Sequence, residues 1–454
     1  MIPVVTPDEM KAVDAGAPEP VEVLIGRAGA AVARVALDML GGAYGRRVVV
    51  IAGKGNNGAD GRDAAGRLRR RGVRVQVIDA PLALPTVPAC DLVIDAAYGT
   101  GFRGGYDAPD AGDAPVLAVD IPSGVNGLTG EASPGAVCAD VTITFAALKP
   151  GLLLWPGSAR AGRIELVDIG LEVAGATIHL VEAADVQAWL PARAPDAYKW
   201  RGAVWVVAGS PGMTGAAHLC ARAAMLAGEG MVRLGVPGLS VPDPPLEVVG
   251  RALPDAGWDG TVLGELQRFR ALLVGPGLGR SEATGAAVRA LVASAPVAVI
   301  VDADGLVALG DAARAAGVIA GRGHPTVLTP HDGEFAGLAG TAPGADRIGA
   351  ARELASKTGA TVLLKGPTTV VAAPDGRVLV ENEGDARLAS AGTGDVLSGV
   401  VAAFLGQGLD GFEAAAAAAF VHASAGNLGW RRGLVAGDLL DLLPAVLSTF
   451  DNLS

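Results

Sequence analysis

Asp395 stands directly behind Gly392, Thr393 and Gly394 in the run Ala389 to Gly399 (ASAGTGDVLSG), ahead of a helical pattern through Val396, Leu397 and Val400. Unpaired amides at a helix N-terminus attract phosphate, and a carboxylate beside them can take a proton from a hydroxyl. That combination suits phosphoryl transfer to an alcohol, with Asp395 as candidate base. A glycine-rich turn of different chemistry, Gly53 to Gly61 (GKGNNGADG), lies in the other half of the chain. It crowds Asn56, Asn57 and Asp60 into positions where a pyrophosphate turn requires no polar side chain. Further acids end the following strands: Asp95 ahead of Gly99, Thr100 and Gly101, and Asp120 ahead of Ile121, Pro122, Ser123 and Gly124. In an open parallel sheet such strand ends open on one crevice. Asn57, Asp95 and Ser123 would there offer hard oxygen ligands to a monovalent or divalent cation, leaving Asp120 for acid–base work. Any one of these aspartates also reads as an N-cap or turn residue; three at successive strand ends shift the balance toward a site.

Gly53, Gly55 and Gly58 also satisfy GxGxxG after a strand, with Asp79 at the end of the next one, as a dinucleotide-binding fold would have it. A dehydrogenase is therefore one rival reading. Lysine is scarce beside arginine, and Lys54, Lys149 and Lys365 lie in glycine- or proline-flanked turns where a compact charge can reach a ligand.

The elements that must position these residues alternate in type. Val21 to Leu40 has helical periodicity. Short β-branched runs then follow at Val48 to Ala52, Val73 to Ile78, Leu92 to Asp95, Val116 to Asp120 and Val141 to Phe145. A second series runs through Ala203 to Ala208, Met231 to Val236, Leu272 to Val274, Val297 to Asp302, Val327 to Thr329 and Thr361 to Leu364. This is the pattern of parallel sheets covered by helices. The stretch Gly170 to Ala197 separates the series, which places a boundary near residue 175 and two domains over 1–175 and 176–454.

Composition excludes several classes. The 454 residues carry a formal net charge of −11, which argues against a nucleic-acid partner. Arg67, Arg69, Arg70 and Arg71 read as a solvated helix end. Mean hydropathy is +0.41, yet no run reaches the roughly 18 to 20 apolar residues that span a bilayer. No basic-then-apolar leader opens the chain, so a soluble cytoplasmic protein is expected. Cys90, Cys138 and Cys220 have no zinc-binding spacing and read as buried reduced thiols.

The first half resembles the epimerase domain of the bifunctional NAD(P)H-hydrate repair enzymes. The markers are NNGxDG at Asn56 to Gly61, D followed by GTG at Asp95 to Gly101, VDIPSG at Val119 to Gly124 and KPG at Lys149 to Gly151, with Ala59 where a second glycine is usual. The second half is similar to the dehydratase of that family, through GSPGMTGAA (Gly209 to Ala217), GPGLG (Gly275 to Gly279), TPHDGE (Thr329 to Glu334), Lys365 to Thr369 and the GTGD turn. It departs at Tyr198, which precedes Lys199 where histidine is usual.

The resemblance implies an α/β protein with an N-terminal Rossmann-like three-layer domain followed by a ribokinase-like α/β domain. The first would epimerise hydrated NADH and NADPH, binding substrate through Asn56, Asn57, Gly58, Ala59, Asp60, Gly99, Thr100, Gly101 and Asp120, with potassium on Asn57, Asp95 and Ser123. The second would dehydrate the S form with ADP and Mg2+, binding substrate through Ala216, Gly277, His331 and Asp395 and nucleotide through Lys365, Gly366, Pro367, Thr368, Thr369 and Gly394. The partners implied are small molecules, with oligomeric state open. A ribokinase-type small-molecule kinase with a regulatory first domain, and a non-catalytic scaffold, complete the rivals.

Overall fold

A computed structural model describes residues 1–82, 85–192, 195–196, 198–240 and 243–451, so Arg193, Ala194 and Ala197 of the expected inter-domain stretch lie outside the described residues. The chain divides into two compact units, Ile2–Ile178 and His179–Ser454 with Met1.

The first unit contains β1 (Ile2–Val4), β2 (Arg47–Ala52), β3 (Arg74–Asp79), β4 (Leu92–Ala96), β5 (Val116–Val119), β6 (Val141–Phe145) and β7 (Arg163–Val167). Its helices are α1 (Pro7–Ala15), α2 (Val21–Leu40), α3 (Asn56–Arg70), α4 (Pro150–Leu153) and α5 (Ser158–Ala161). Six strands form one parallel sheet in the order β3-β2-β4-β5-β6-β7. Strands β4 and β6 are buried residue after residue because helices cover both faces, which is why their sequences read as continuous apolar runs. A Thr6–Glu9 capping box starts α1. The chain leaves β2 toward β3 and returns on the other side to β4. That reversal opens a crevice beyond the carboxyl ends of β2 and β4. The two strand ends touch there: a Cβ on Gly53 would lie 1.9 Å from the Ala97 carbonyl oxygen, so only glycine fits.

The second unit contains β8 (Ile178–Leu180), β9 (Ala203–Val207), β10 (Met231–Pro237), β11 (Val249–Leu253), β12 (Ala271–Val274), β13 (Ala298–Val301), β14 (Thr326–Leu328), β15 (Thr361–Leu364), β16 (Thr369–Ala372) and β17 (Val378–Glu381). Its helices are α6 (Ala183–Trp189), α7 (Gly215–Leu226), α8 (Trp258–Glu265), α9 (Glu282–Ser294), α10 (Asp304–Leu309), α11 (Ala312–Ile319), α12 (Asp332–Ala339), α13 (Arg347–Thr358), α14 (Thr393–Gln407), α15 (Gly411–Leu428) and α16 (Ala436–Asp451). The strand order is β8-β17-β16-β15-β14-β13-β12-β9-β10-β11, parallel from β11 to β15 and antiparallel through β16 and β17. Here the reversal falls between β9 and β12. Their turns meet, with the Gly209 amide donating to the Pro276 carbonyl at 2.7 Å.

Helices α14 and α15 are buried almost all round, including Ala414 to Ala419. The positive hydropathy of the chain resides in such interior helices, and no helix among the described residues is long and apolar enough to cross a membrane. One expectation is corrected: only Cys220 is buried, whereas Cys90 is half-buried and Cys138 is exposed. Cys138 lies in the loop entering β6, outside the covered part of the sheet.

Candidate functional site

In the first unit the crevice is a cavity of about 680 Å³, lined by the turn Gly53 to Asn57, Asp60, Tyr98 to Phe102 and Asp120. Asp14, at the end of α1, reaches it as well. Asp120 follows β5 with φ of 69°, a left-handed conformation that costs a non-glycine residue about 1–3 kcal/mol. Its amide donates to the Ile143 carbonyl at 2.6 Å. Its carboxylate meets the Lys149 ammonium at 2.7 Å and accepts from the Thr144 hydroxyl at 3.2 Å. Lys149 is 1% exposed and spends its other donors on the Thr144 hydroxyl at 2.8 Å and the Phe145 carbonyl at 3.0 Å. The KPG turn thus points its lysine inward at an aspartate rather than outward at a ligand.

Asp60, Asp14 and Asp95 have no such basic partner among the described residues. Burial, aided by Asp120, Asp63 and Asp14, pushes Asp60 up to about 8. Asp14 is raised by burial and by Asp120, against the pull of Lys149. Asp95 and Ser123 come together: the carboxylate accepts from the Ser123 hydroxyl at 2.7 Å, the Ser123 amide at 2.8 Å and the Ala97 amide at 3.3 Å. Burial nonetheless lifts Asp95 to about 6. Asn57 stands in the cavity with both side-chain polar atoms buried and without a hydrogen-bond partner. A Cβ placed on Gly99 would lie 3.5 Å from both the Asn57 side chain and the Asp120 carboxylate, which puts those three residues on one spot. Asn56, Gly58, Ala59 and Asp60 form the first turns of α3. Thr100 and Gly101 complete the loop opposite.

The dehydrogenase reading meets a physical obstacle here. Arg62 ion-pairs with Asp79 at 2.5 Å and donates to the Gly53 carbonyl at 2.6 Å. The acid that should hold a ribose is therefore occupied.

In the second unit Gly392 takes φ of 90° and caps α14, which starts at Thr393. The Thr393 hydroxyl contacts the Leu388 carbonyl at 2.7 Å and the Ser390 carbonyl at 2.9 Å, anchoring the turn. Asp395 lies in the first turn of the helix. Burial lifts its carboxyl to about 6; Asp302 and Glu334 add to the rise and Lys365 opposes it. Lys365 follows β15, and its ammonium meets Asp302 at 2.9 Å and Glu334 at 3.7 Å. It also stands 3.5 Å from where a Cβ on Gly394 would be. Burial works to lower Lys365, but Asp302 and Glu334 outweigh it and hold the ammonium above its ordinary value. Asp302, 2% exposed at the end of β13, accepts from the Ser398 hydroxyl of α14 at 2.7 Å through its other oxygen.

The segment Lys365 to Thr369 does not face one way. The Lys365 side chain turns to Asp302, Gly366 is backed by the Arg347 guanidinium, Thr368 is buried, and Thr369 opens β16 opposite Glu381. Arg347 fixes this turn by donating to the Lys365 carbonyl at 2.9 Å while gripping Asp332 at 2.8 Å. His331 caps α12: its Nδ1 accepts from the Gly333 amide at 2.9 Å and the Glu334 amide at 3.2 Å, and the rest of the ring is exposed. Ala216 sits in the first turn of α7, and Gly277 has φ of 66° in the paired turns at the reversal, where a Cβ on it would lie 3.4 Å from the Gly209 Cα.

Comparison with known proteins identifies the family. A family model described as NAD(P)H-hydrate dehydratase matches residues 204–446, more than half of the chain. A model of the YjeF-related protein N-terminus matches 21–87 and 79–151. A bifunctional NAD(P)H-hydrate repair enzyme of Mycobacterium tuberculosis is 42% identical over 83% of this chain and 82% of its own. The chain belongs to the family of bifunctional NAD(P)H-hydrate repair enzymes. The relative of that name in Escherichia coli is 33% identical over 89% of this chain and 85% of its own. A Bacillus subtilis ADP/ATP-dependent NAD(P)H-hydrate dehydratase, co-crystallised with ATP and Mg2+, matches with TM-score 0.51 and 32% identity, covering 58% of this chain and 96% of that one. A ribokinase-like protein of Enterococcus faecalis, at 19% identity and TM-score 0.51, shares the fold of the second unit.

Four residues of these candidate sites were not read from the sequence as site members: Asp14, Asp302, Glu334 and Ser398. Glu334 lies within TPHDGE and Asp302 ends an expected strand, so both were visible as acids in turns. Ser398 carried no signal, because its partner Asp302 is 96 residues away.

Proposed function

We propose that this protein repairs hydrated NADH and NADPH, with the first unit interconverting the R and S epimers and the second dehydrating the S form at the expense of ADP. The observation that carries the second activity is the Asp395 carboxylate on the first turn of α14 with the Lys365 ammonium held at the same turn. Asp395 takes the proton of the substrate hydroxyl, whose oxygen then attacks the terminal phosphoryl of ADP. A carboxyl near 6 is largely ionised at neutral pH yet basic enough to serve. The amides opening α14 and the Lys365 charge stabilise the transferring phosphoryl. Hydroxide leaves badly and phosphate leaves well, so the lone pair of the ring nitrogen expels the ester. Loss of the neighbouring ring proton restores the dihydronicotinamide of NADH or NADPH, with AMP and phosphate as co-products. Mg2+, when bound, neutralises nucleotide phosphate charge and is held mainly through those phosphates and water. Gly366 to Thr369 take the adenylate part, while Ala216, Gly277 and His331 line the substrate side.

For the first unit, Asn57, Asp95 and Ser123 would hold potassium. The fit rests on the Asn57 carbonyl oxygen, buried without a partner, and on the Asp95 carboxylate, buried with hydrogen bonds but no basic group bound to it. Asp120, fixed by Lys149, exchanges protons with substrate. The site works in the cytoplasm on small molecules.

The test supplies purified protein with a mixture of hydrated NADH epimers, ADP and Mg2+ and follows the return of nicotinamide absorbance. Full recovery from both epimers is expected. Recovery of only the S fraction would remove the epimerase assignment, and a stable phosphorylated product would make the second unit a kinase.

A further inference from the structure

Four carboxyls line the cavity of the first unit, Asp14, Glu19, Asp60 and Asp120, and they are not equivalent. Asp120 is locked to Lys149 at 2.7 Å. Asp60 on α3 and Asp14 on α1 have no ion pair among the described residues, and Asp60 is 7% exposed. The charged groups facing Asp60 are Asp14 from α1, Asp120 from the end of β5, Asp63 on its own helix and, through Asp120, Lys149; Glu19 and Lys54 also line the cavity. Two adjoining carboxyls cannot both ionise cheaply away from water. Lys149 is bonded to Asp120, whereas burial and the neighbouring carboxylates favour the protonated form of Asp60.

We propose that Asp60 is the catalytic acid of the epimerase site, giving its proton to the departing hydroxyl, while Asp120 is the base that takes a proton from the incoming water. This rests on the epimerase reading of the first unit. The carbon–oxygen bond of the hydrate breaks with its electron pair going to oxygen. The ring nitrogen lone pair forms the C=N bond of a cyclic iminium, and the Asp60 proton converts the leaving group to water. Water then adds to the opposite face through its oxygen, and its surplus proton goes to the Asp120 carboxylate. Transfer of that proton back to Asp60 through cavity water resets the site, and nothing is oxidised or reduced. A buried carboxyl that keeps its proton, in one cavity with a carboxylate bonded to a lysine, suits paired acid and base roles, and burial keeps Asp60 protonated up to about 8.

The experiment follows epimerisation of pure R hydrate without ADP, in water enriched in ¹⁸O, across the pH range for the full chain and its variants. Wild-type activity should fall as pH rises through about 8, because the acid loses its proton. Each turnover should place ¹⁸O on the epimerised carbon. Asp60→Asn should lower kcat/KM by about 10²–10⁴ and abolish the alkaline limb, with its melting curve reporting that it is folded. Asp60→Glu should recover part of the rate and regain an alkaline limb, and it carries the test if the Asn variant does not fold. Asp60→Asn within tenfold of wild type, an Asp60→Glu profile without the limb, or epimerisation without ¹⁸O uptake would overturn the proposal. Wild type that leaves pure R hydrate untouched would instead remove the epimerase reading itself.

Discussion

Both units place a lysine against an aspartate at the carboxyl ends of a parallel sheet, but they use the pair differently. In the first, Lys149 holds Asp120, the very group assigned to proton exchange. In the second, Lys365 holds Asp302, and the proposed base, Asp395, stands nearby on a helix N-terminus without a salt bridge of its own among the described residues. A lysine bonded directly to a carboxylate fixes its charge and position. A lysine bonded to a neighbour leaves the base free to titrate and keeps the cation available for phosphate. Under the proposed roles, one structural device would serve orientation at one site and phosphoryl stabilisation at the other.

The largest effect that would break this contrast concerns Asp395. Asp395→Asn is nearly isosteric and removes only charge and basicity, so ADP-driven dehydration of S hydrate should fall by at least about 10². Epimerisation of R hydrate, measured on the same preparation, should be unchanged. Parallel loss of both would mean that the two sites are not independent.

The next effect is on stability. Lys365→Met strands the buried Asp302 carboxylate, at a cost of about 3–5 kcal/mol if it stays charged, and Lys149→Met strands the partly exposed Asp120 at a smaller cost. Thermal melts should show both variants weakened. A Lys149→Met protein that melts like wild type would show that Asp120 gains its position from backbone bonds alone.

Glu229 sharpens the comparison as a buried carboxyl with no lysine. It precedes β10, is 4% exposed and has both carboxylate oxygens unpartnered, and burial pushes it up to about 9 from an ordinary 4.5. Its folded value lies above its unfolded one, so the stability it contributes is complete below about 4.5 and is lost as pH rises toward and through about 9. Glu229→Gln should therefore match wild type near pH 4 and melt at progressively higher temperature than wild type from pH 6 upward, as read by calorimetry at several pH values. An equal gap at all pH values would contradict a protonated Glu229.

The smallest effect is a shift in a pH profile. Asp302 is a like charge that raises Asp395, and Lys365, freed of its partner, lowers it further. In Asp302→Asn the acid limb of dehydration should thus move below the wild-type position near 6. An unmoved limb would detach Asp302 from the base.

Much of this architecture was legible because parallel strands buried on both faces write themselves as short apolar runs. All eleven expected strands exist, from VVVIA in β2 to TVLL in β15. The strands that escaped notice, β7, β11, β16 and β17 among them, lie at or near sheet edges or in an antiparallel hairpin. The hairpin was nonetheless marked by Pro374, Asp375 and Gly376 between two valine-rich runs. The glycine turns were legible for the same steric reason that makes them glycine: a Cβ on Gly275 would lie 1.9 Å from the Asp302 carbonyl oxygen, matching the Gly53 contact in the other unit. Side-chain direction was not legible. Nothing in KPG says that Lys149 turns back on Asp120, and nothing in LLKGP says that Lys365 leaves its own loop to meet Asp302.

The division of labour between the two units is tested most directly by complementation. Pure R hydrate is supplied with ADP and Mg2+ and return of nicotinamide absorbance is followed for Asp120→Asn, for Asp395→Asn, and for the two mixed. Each variant alone should fail, the first because R is not epimerised and the second because S is not dehydrated. The mixture should restore conversion, since each variant supplies the site the other lacks. Conversion at the wild-type rate by Asp120→Asn alone, or no recovery on mixing two folded variants, would contradict two separate sites acting in sequence.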